Sequence, residues 1–407
     1  MKKISIKNIN KESNTIRIFF ESTLEQYLRE EYLEIRYDFD VSQLPVSVAI
    51  IPFVANVLPI IWLTNAELIV EELDEDFYHS IDEFKKGYVA MYPMLNFGGK
   101  ITIKHLIKNK QPDKKKTALF FSGGVDAFSS LIELRKDKTP DLITIWGADV
   151  MMANIEGWQK VEKHIKETAG KFHLPYQTIQ SNFRTFIDEF QLDKLVATSG
   201  DGYWHGFQHG VGMLALAAPY AYLEGVENLY IASSYTKELH HSCASDPSID
   251  NFVKFCGTSV IHHQFELSRQ MKIKNIVSAE NKINLRVCWE STDGDNCCRC
   301  EKCYRTIAGL WAEGKNPIDY GFRTGKNFYK SMISDFTTKI YLSDIVLCLW
   351  KEIQSRFVQN ESNVQEKHFL RWIKSVNLDK INNTWQKQLK RNSYRRLFVK
   401  FVKKWLK

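Results

Sequence analysis

From residue 117 onward the chain alternates short apolar runs with helical stretches, and this rhythm constrains its fold more than any other feature. Runs at 117–121, 142–146, 176–179 and 228–232 alternate with helical patterns at 128–135, 157–172, 183–190 and 206–223. Strands separated by helices pair in parallel, and parallel strands need helical cover on both faces, so continuous apolar runs replace polar alternation. The expected core is an α/β parallel sheet with helices on both faces.

Residues 1–112 read differently. Alternation at Lys3-Ile4-Ser5-Ile6-Lys7 and Thr15-Ile16-Arg17-Ile18 suggests strands exposed on one face. Further strands are expected at 67–71 and 99–104, giving an N-terminal α+β domain. Residues 44–63 are nearly free of charge and long enough to span a bilayer. They contain Pro45, Pro52 and Pro59, however, with Asp40 and Glu67 on either side, so a pair of short buried elements is expected instead. The charged, proline-marked stretch 109–116 marks a boundary. The expected layout is therefore 1–112, a nucleotide-binding domain at 113–285, a metal subdomain at 286–314 and a helical basic region at 315–407.

Length and charge add less. A chain of 407 residues exceeds one ordinary core. A net charge of +7 suits an anionic ligand without specifying one. From Lys380 on there is no acidic residue, and Phe398, Phe401 and Trp405 fall near helical spacing opposite Arg395, Arg396, Lys400, Lys403, Lys404 and Lys407. A docked terminal helix is the plainer reading, and surface contact with acidic lipid or nucleic acid is the other. The start of the sequence carries no apolar leader, and the expected compartment is a reducing cytoplasm.

The chemistry concentrates at two motifs. In Ala118-Leu119-Phe120-Phe121-Ser122-Gly123-Gly124-Val125-Asp126-Ala127-Phe128-Ser129-Ser130 a buried strand runs through a small-residue turn directly into a helix. The glycines allow a tight turn with inward-facing N–H groups, and the helix adds its positive end, a pairing that favours an anion. Ser122 can donate to a phosphate oxygen, and Asp126 can hold Mg²⁺ or orient donors. Gly98-Gly99-Lys100 and Gly325-Lys326 lack the remaining residues of a Walker loop, so cleavage between the α and β phosphates is expected. The second motif is Cys288-x8-Cys297-x2-Cys300-x2-Cys303, which gathers four of eight cysteines. Four thiolates at this spacing can close a tetrahedral zinc site. An iron–sulfur cluster uses the same ligands. Cys298 is expected to point away.

The turn resembles that of the PP-loop ATP pyrophosphatases, although Ala127 stands where that family usually ends in serine; Ser129 or Ser130 can substitute. Together with the cysteine spacing, residues 117–310 resemble 7-cyano-7-deazaguanine synthase and its relatives. That resemblance implies ATP, Mg²⁺ and structural Zn²⁺, and activation of a carboxylate as an acyl-adenylate before attack by ammonia. The usual tyrosine-glycine pair is replaced by Ile145-Trp146-Gly147-Ala148-Asp149, so a divergent branch with its own substrate is expected. The acceptor would be a small-molecule or protein-borne carboxylate or amide, and a partner would supply ammonia or an amine.

Lesser candidates follow from the ends of the strands. Val125 and Ala127 lie in the turn, Asn182 follows the third strand of the core, and Ser233 and Ser234 follow the fourth. Arg269 and Lys272 are candidates to steady the departing pyrophosphate. His205 and His209 stand four apart but lack the glutamate of a zinc protease, which favours helix packing. Sulfur transfer to tRNA would require a reactive cysteine such as Cys243 or Cys256. A zinc-stabilised module that binds nucleotide without turnover is the non-enzymatic alternative. Nucleic acid is the weaker partner class, and a homodimer is left open.

Overall fold

The computed structural model describes residues 2–384 except 292 and 341, together with Lys387. The basic stripe expected around Phe398, Phe401 and Trp405 lies outside the described residues. The chain divides into two compact units. One comprises Met1–Leu267 with Thr292–Asp295, the other Ser268–Ser291 with the chain from Asn296 onward.

The first unit is built on one sheet of eleven strands. Its strands are β1 (Lys3–Glu12), β2 (Thr15–Ser22), β3 (Tyr32–Arg36), β4 (Glu67–Asp74), β5 (Lys100–Ile107), β6 (Lys116–Phe120), β7 (Asp141–Trp146), β8 (Tyr176–Ser181), β9 (Val226–Ala232), β10 (Lys254–Phe255) and β11 (Thr258–His263). Their order across the sheet is β10-β11-β9-β6-β7-β8-β3-β2-β1-β4-β5. From β11 to β8 every neighbouring pair is parallel. β7 is buried at all but its last residue and β6 at its last three, as strands covered on both faces must be toward their centres.

This topology contains a reversal. After β6 the chain builds β7 and β8 on one side, then crosses back to place β9 and β11 on the other. Such a switch leaves a crevice at the carboxyl ends of the central strands, where open α/β sheets bind ligands.

The N-terminal region is not separate from this core. β3 pairs with β8 antiparallel, through Ile35 opposite Ser181, so β1–β5 extend the same sheet. The expected boundary at 112 is no junction between compact units. The charged stretch before β6 is anchored, not free: Gln111 donates to the Val226 carbonyl at 3.2 Å, and Lys114 and Lys116 pair with Glu224 at 3.2 and 2.6 Å. Its charges serve ion pairs at the amino end of the sheet. A boundary at 285 does not separate units either, since the division falls between Leu267 and Ser268.

The apolar segment 44–63 forms two helices, Val46–Ala49 and Ile51–Thr64, buried along nearly their whole length. No described helix is long and apolar enough to cross a membrane. The one strongly polar side chain in the second helix is Asn56, fully buried. Its amide donates to the carbonyls of Pro52 and Gly212 at 2.8 and 3.1 Å. Its oxygen accepts from Gln208 Nε2 at 2.8 Å, and the same Gln208 nitrogen donates to the Phe183 carbonyl at 2.7 Å.

Two helical expectations change. Residues 183–190 are mostly turn, and the helix there is Glu189–Val196, capped by Asp188. The long helix expected at 206–223 is broken into a π-helical turn (Trp204–Gln208), Val211–Leu214, a 3₁₀ turn and Ala218–Glu224. Gly210 explains the break: a Cβ there would lie 2.0 Å from the Ala244 carbonyl oxygen.

The second unit is helical, with Arg269–Ala279, Glu301–Ala312, Phe328–Thr338, Asp344–Gln359 and Lys367–Ser375. An aromatic core binds them; Phe336 meets Trp350 edge-on at 4.5 Å between ring centres. Arg356 grips the buried Glu313 carboxylate with two bonds of 2.8 and 2.7 Å.

Replacing Asn56 by Ala removes one of the two buried acceptors of Gln208 Nε2 and the side-chain donor to the Gly212 carbonyl. The expected cost is about 1–3 kcal/mol. It should appear as a lower urea midpoint with an unchanged slope.

Candidate functional site at the carboxyl edge and a four-cysteine centre

The phosphate-type turn lies where the topology opens. β6 ends at Phe120; Ser122, Gly123 and Gly124 make the turn, and the helix Val125–Leu134 follows at once. Gly123 has φ +77°, a left-handed conformation that only glycine adopts without strain. Ser122 is exposed, and its hydroxyl accepts from the Gly124 N–H at 3.4 Å. Asp126 is half-buried in the first helical turn, beside the positive end of the helix. Val125 and Ala127 are buried and hold the turn against the core.

Ser129 and Ser130 do not replace the hydroxyl missing at Ala127. Both are buried in the helix body. Ser130 Oγ lies 3.0 Å from His263 Nδ1, and Ser129 Oγ has no hydrogen-bond partner among the described residues. Ser233 and Ser234 follow β9, the strand beside β6, with Ser234 exposed and Ser233 fully buried. Ser233 Oγ donates to the Tyr235 carbonyl at 2.6 Å, which shapes the loop after β9.

The other sequence candidates have structural partners. The Asn182 side chain accepts from the Glu34 N–H at 2.8 Å and donates to Glu30 Oε2 at 2.6 Å and the Tyr32 carbonyl at 3.2 Å. In this arrangement it staples the end of β8 to β3 and the residues before it. Arg269 and Lys272 begin the helix Arg269–Ala279 of the second unit, and both are buried. Arg269 donates to Thr306 Oγ1 at 3.3 Å.

One constellation was not assembled from the sequence. Asp201 and His205 meet across the turn that opens the π-helix, with both carboxylate oxygens 2.9–3.0 Å from His205 Nδ1. Tyr92 donates to the same carboxylate at 2.8 Å. The thiol of Cys243, on the loop after β9, faces the rings of His205 and His209. Ala244 N–H donates to the His205 carbonyl at 2.9 Å and fixes that loop on the π-helical turn. Burial pushes the Cys243 thiol up, but the two histidines and their charges outweigh it and bring it to about 6. Asp201, then Cys243, raise His205 to about 10. The visible signal was the repeat Asp201-x3-His205-x3-His209; the thiol that completes it lies 34 residues beyond His209 and is brought there only by the sheet.

The second unit holds the cysteine centre. The sulfurs of Cys288, Cys297, Cys300 and Cys303 all lie within 4.8 Å of one another. Cys288 and Cys300 are 3.8 Å apart, and Cys297 and Cys303 are 3.9 Å apart. A tetrahedron with Zn–S bonds of about 2.3 Å places its sulfurs about 3.8 Å apart, so the four thiols fit a metal such as zinc. Backbone N–H groups of Ser291, Arg299, Cys300 and Cys303 donate to these sulfurs at 3.3–3.4 Å. Cys300 also caps the helix Glu301–Ala312, whose positive end favours thiolates. Asn296 ties the loop together, accepting from Val287 and Cys288 and donating to the Leu285 and Gly321 carbonyls. Cys298 stands outside the group and accepts from the Arg323 N–H at 3.3 Å.

Elemental analysis of the purified full-length chain is expected to find one zinc per chain. Cys300→Ser or Cys303→Ser should lose it along with about 3 kcal/mol or more of stability, because binding energy at such sites is folding energy. A visible absorption band with iron in its place would overturn zinc. No family model matches this sequence, and no curated protein or solved structure matches it either.

Proposed function

We propose that the chain is an ATP-dependent adenylating enzyme that converts ATP to AMP and pyrophosphate while activating a carboxylate or amide for attack by ammonia or an amine. The observation that carries this reading is the turn at Ser122-Gly123-Gly124. It combines a left-handed glycine, an exposed hydroxyl and a helix start at the carboxyl end of the strand where the sheet reverses. Those features suit a multiply charged phosphate group.

In this reading the bound nucleotide supplies an α-phosphorus that accepts the substrate oxygen and releases pyrophosphate. The backbone N–H groups of 123–125 and the Ser122 hydroxyl hold the β and γ phosphates. Positive charge from the helix end offsets the charge that builds on the leaving group. Asp126 holds Mg²⁺ or orients the donors. The four-cysteine centre with zinc has a structural part, since four protein thiolates leave no open coordination position.

Incubation with ATP, Mg²⁺ and a cell metabolite extract should yield AMP and pyrophosphate only when the extract supplies an acceptor. Asp126→Asn should lower that rate by about 100-fold or more while leaving the fold intact. Release of ADP and phosphate, or no turnover with any fraction, would sink the proposal.

A further inference from the structure

The mouth of the sheet carries chemistry that the nucleotide reading does not use. The structure assigns Cys243 as the nucleophile of a Cys–His–Asp relay, with His205 and Asp201, that forms a thioester with an acyl electrophile. This inference stands apart from ATP binding.

Four observations support it. The Asp201 carboxylate fixes His205 through Nδ1, which leaves Nε2 as the atom available to exchange a proton, the division of labour such relays need. Asp201 is itself held by the Tyr92 hydroxyl and the Gly202 N–H. The histidines stand at a π-helical turn, a feature that recurs at functional sites, and Gln208 locks that turn from the buried side. Gly210 allows the Cys243 loop to approach, because a side chain there would collide with the Ala244 carbonyl. Ser245 N–H also points at the Cys243 sulfur at 3.5 Å.

Cys256 supplies an internal contrast. It is buried in the same unit, beside Asp74 in place of histidines, and burial with that carboxylate pushes its thiol well up. A buried cysteine here is inert unless cations face it. Cys243 is 5% exposed, whereas the His205 side chain is 37% exposed and forms the open side of the site.

Other titratable groups also face this site. Tyr88 lies in the helix Glu75–Met91 and Tyr92 directly follows it, and His241 sits beside His205 with ring centres 5.6 Å apart. Asp149 and Asp250 act on His209, and Asp250 is bound to His262 at 2.8 Å.

In the step itself the thiolate sulfur attacks the carbonyl carbon of R–CO–X. The carbon–sulfur bond forms, the carbon–X bond breaks, and X leaves with the electron pair and takes the proton from His205 Nε2. Water or an amine then attacks the thioester, gives its proton back to His205 and restores the thiolate. Nothing is oxidised or reduced.

The test uses the full-length protein with limiting iodoacetamide across pH 5–9, with peptide mass mapping and the exposed Cys348 as internal reference. Cys243 should reach half-maximal rate near pH 6, well below the range of about 8.5 for an unperturbed thiol. At pH 6.5 Cys243 should react at least about tenfold faster than Cys348. His205→Gln should move the Cys243 midpoint up by a pH unit or more, and Asp201→Asn should move it part of the way. Brief exposure to p-nitrophenyl acetate should leave an acetyl group on Cys243. Equal rates for Cys243 and Cys348 in the unmutated chain would overturn the inference, and that comparison needs no variant to fold. A midpoint insensitive to His205→Gln would overturn it too. A persulfide found on Cys243 without any acetyl transfer would replace acyl chemistry with sulfur transfer.

Discussion

Parallel pairing of β6 with both β7 and β9 is the constraint on which the functional edge depends. Because β6 is central, its backbone groups are satisfied on both sides, and the chain leaving its carboxyl end must turn out of the sheet at once. Gly123 makes that turn with a left-handed φ, and the helix starts two residues later. The reversal around β6 then brings the loop after β9 to the same edge. The Ser122-Gly123-Gly124 turn and the Cys243 loop thereby follow neighbouring strands.

The thiol side depends on a second device, buried polar anchoring. Asn56 lies in a helix that is otherwise apolar, and its amide group reaches both its own helix and the Gly212 carbonyl. Through Gln208 it fixes the π-helical turn that carries His205. A hydrogen-bonded polar pair in a dry interior is strongly directional, since slippage leaves more desolvated groups unpaired. Position is thus set from behind while the histidine ring stays open to solvent.

Much of the first unit was legible in the sequence. β6, β7, β8 and β9 fall within a residue or two of the apolar runs, most clearly at β7, which is buried at five of its six residues. The four-cysteine group was legible because its ligands are close in sequence, and Cys298 stands outside it as expected. What could not be read involves long-range pairing. Nothing local to β3 or β8 says that they pair, and so a charged stretch at 109–116 looked like a domain linker. The structural role of Asn182 was hidden for the same reason, since its partners Glu30, Tyr32 and Glu34 lie in β3 or just before it, some 150 residues earlier. The Cys243 relay was missed because its members come from two loops that no spacing rule connects.

The pairing of β3 with β8 has an architectural consequence. The N-terminal region supplies the strand that covers the edge of β8, and its buried helix packs beneath the histidine-bearing turn. A chain trimmed to begin at β6 would present a bare strand edge and a stripped apolar face, both of which invite self-association. The catalytic-looking half of the sheet is consequently not a portable module, and the N-terminal strands are as much a part of it as the turn that would hold phosphate.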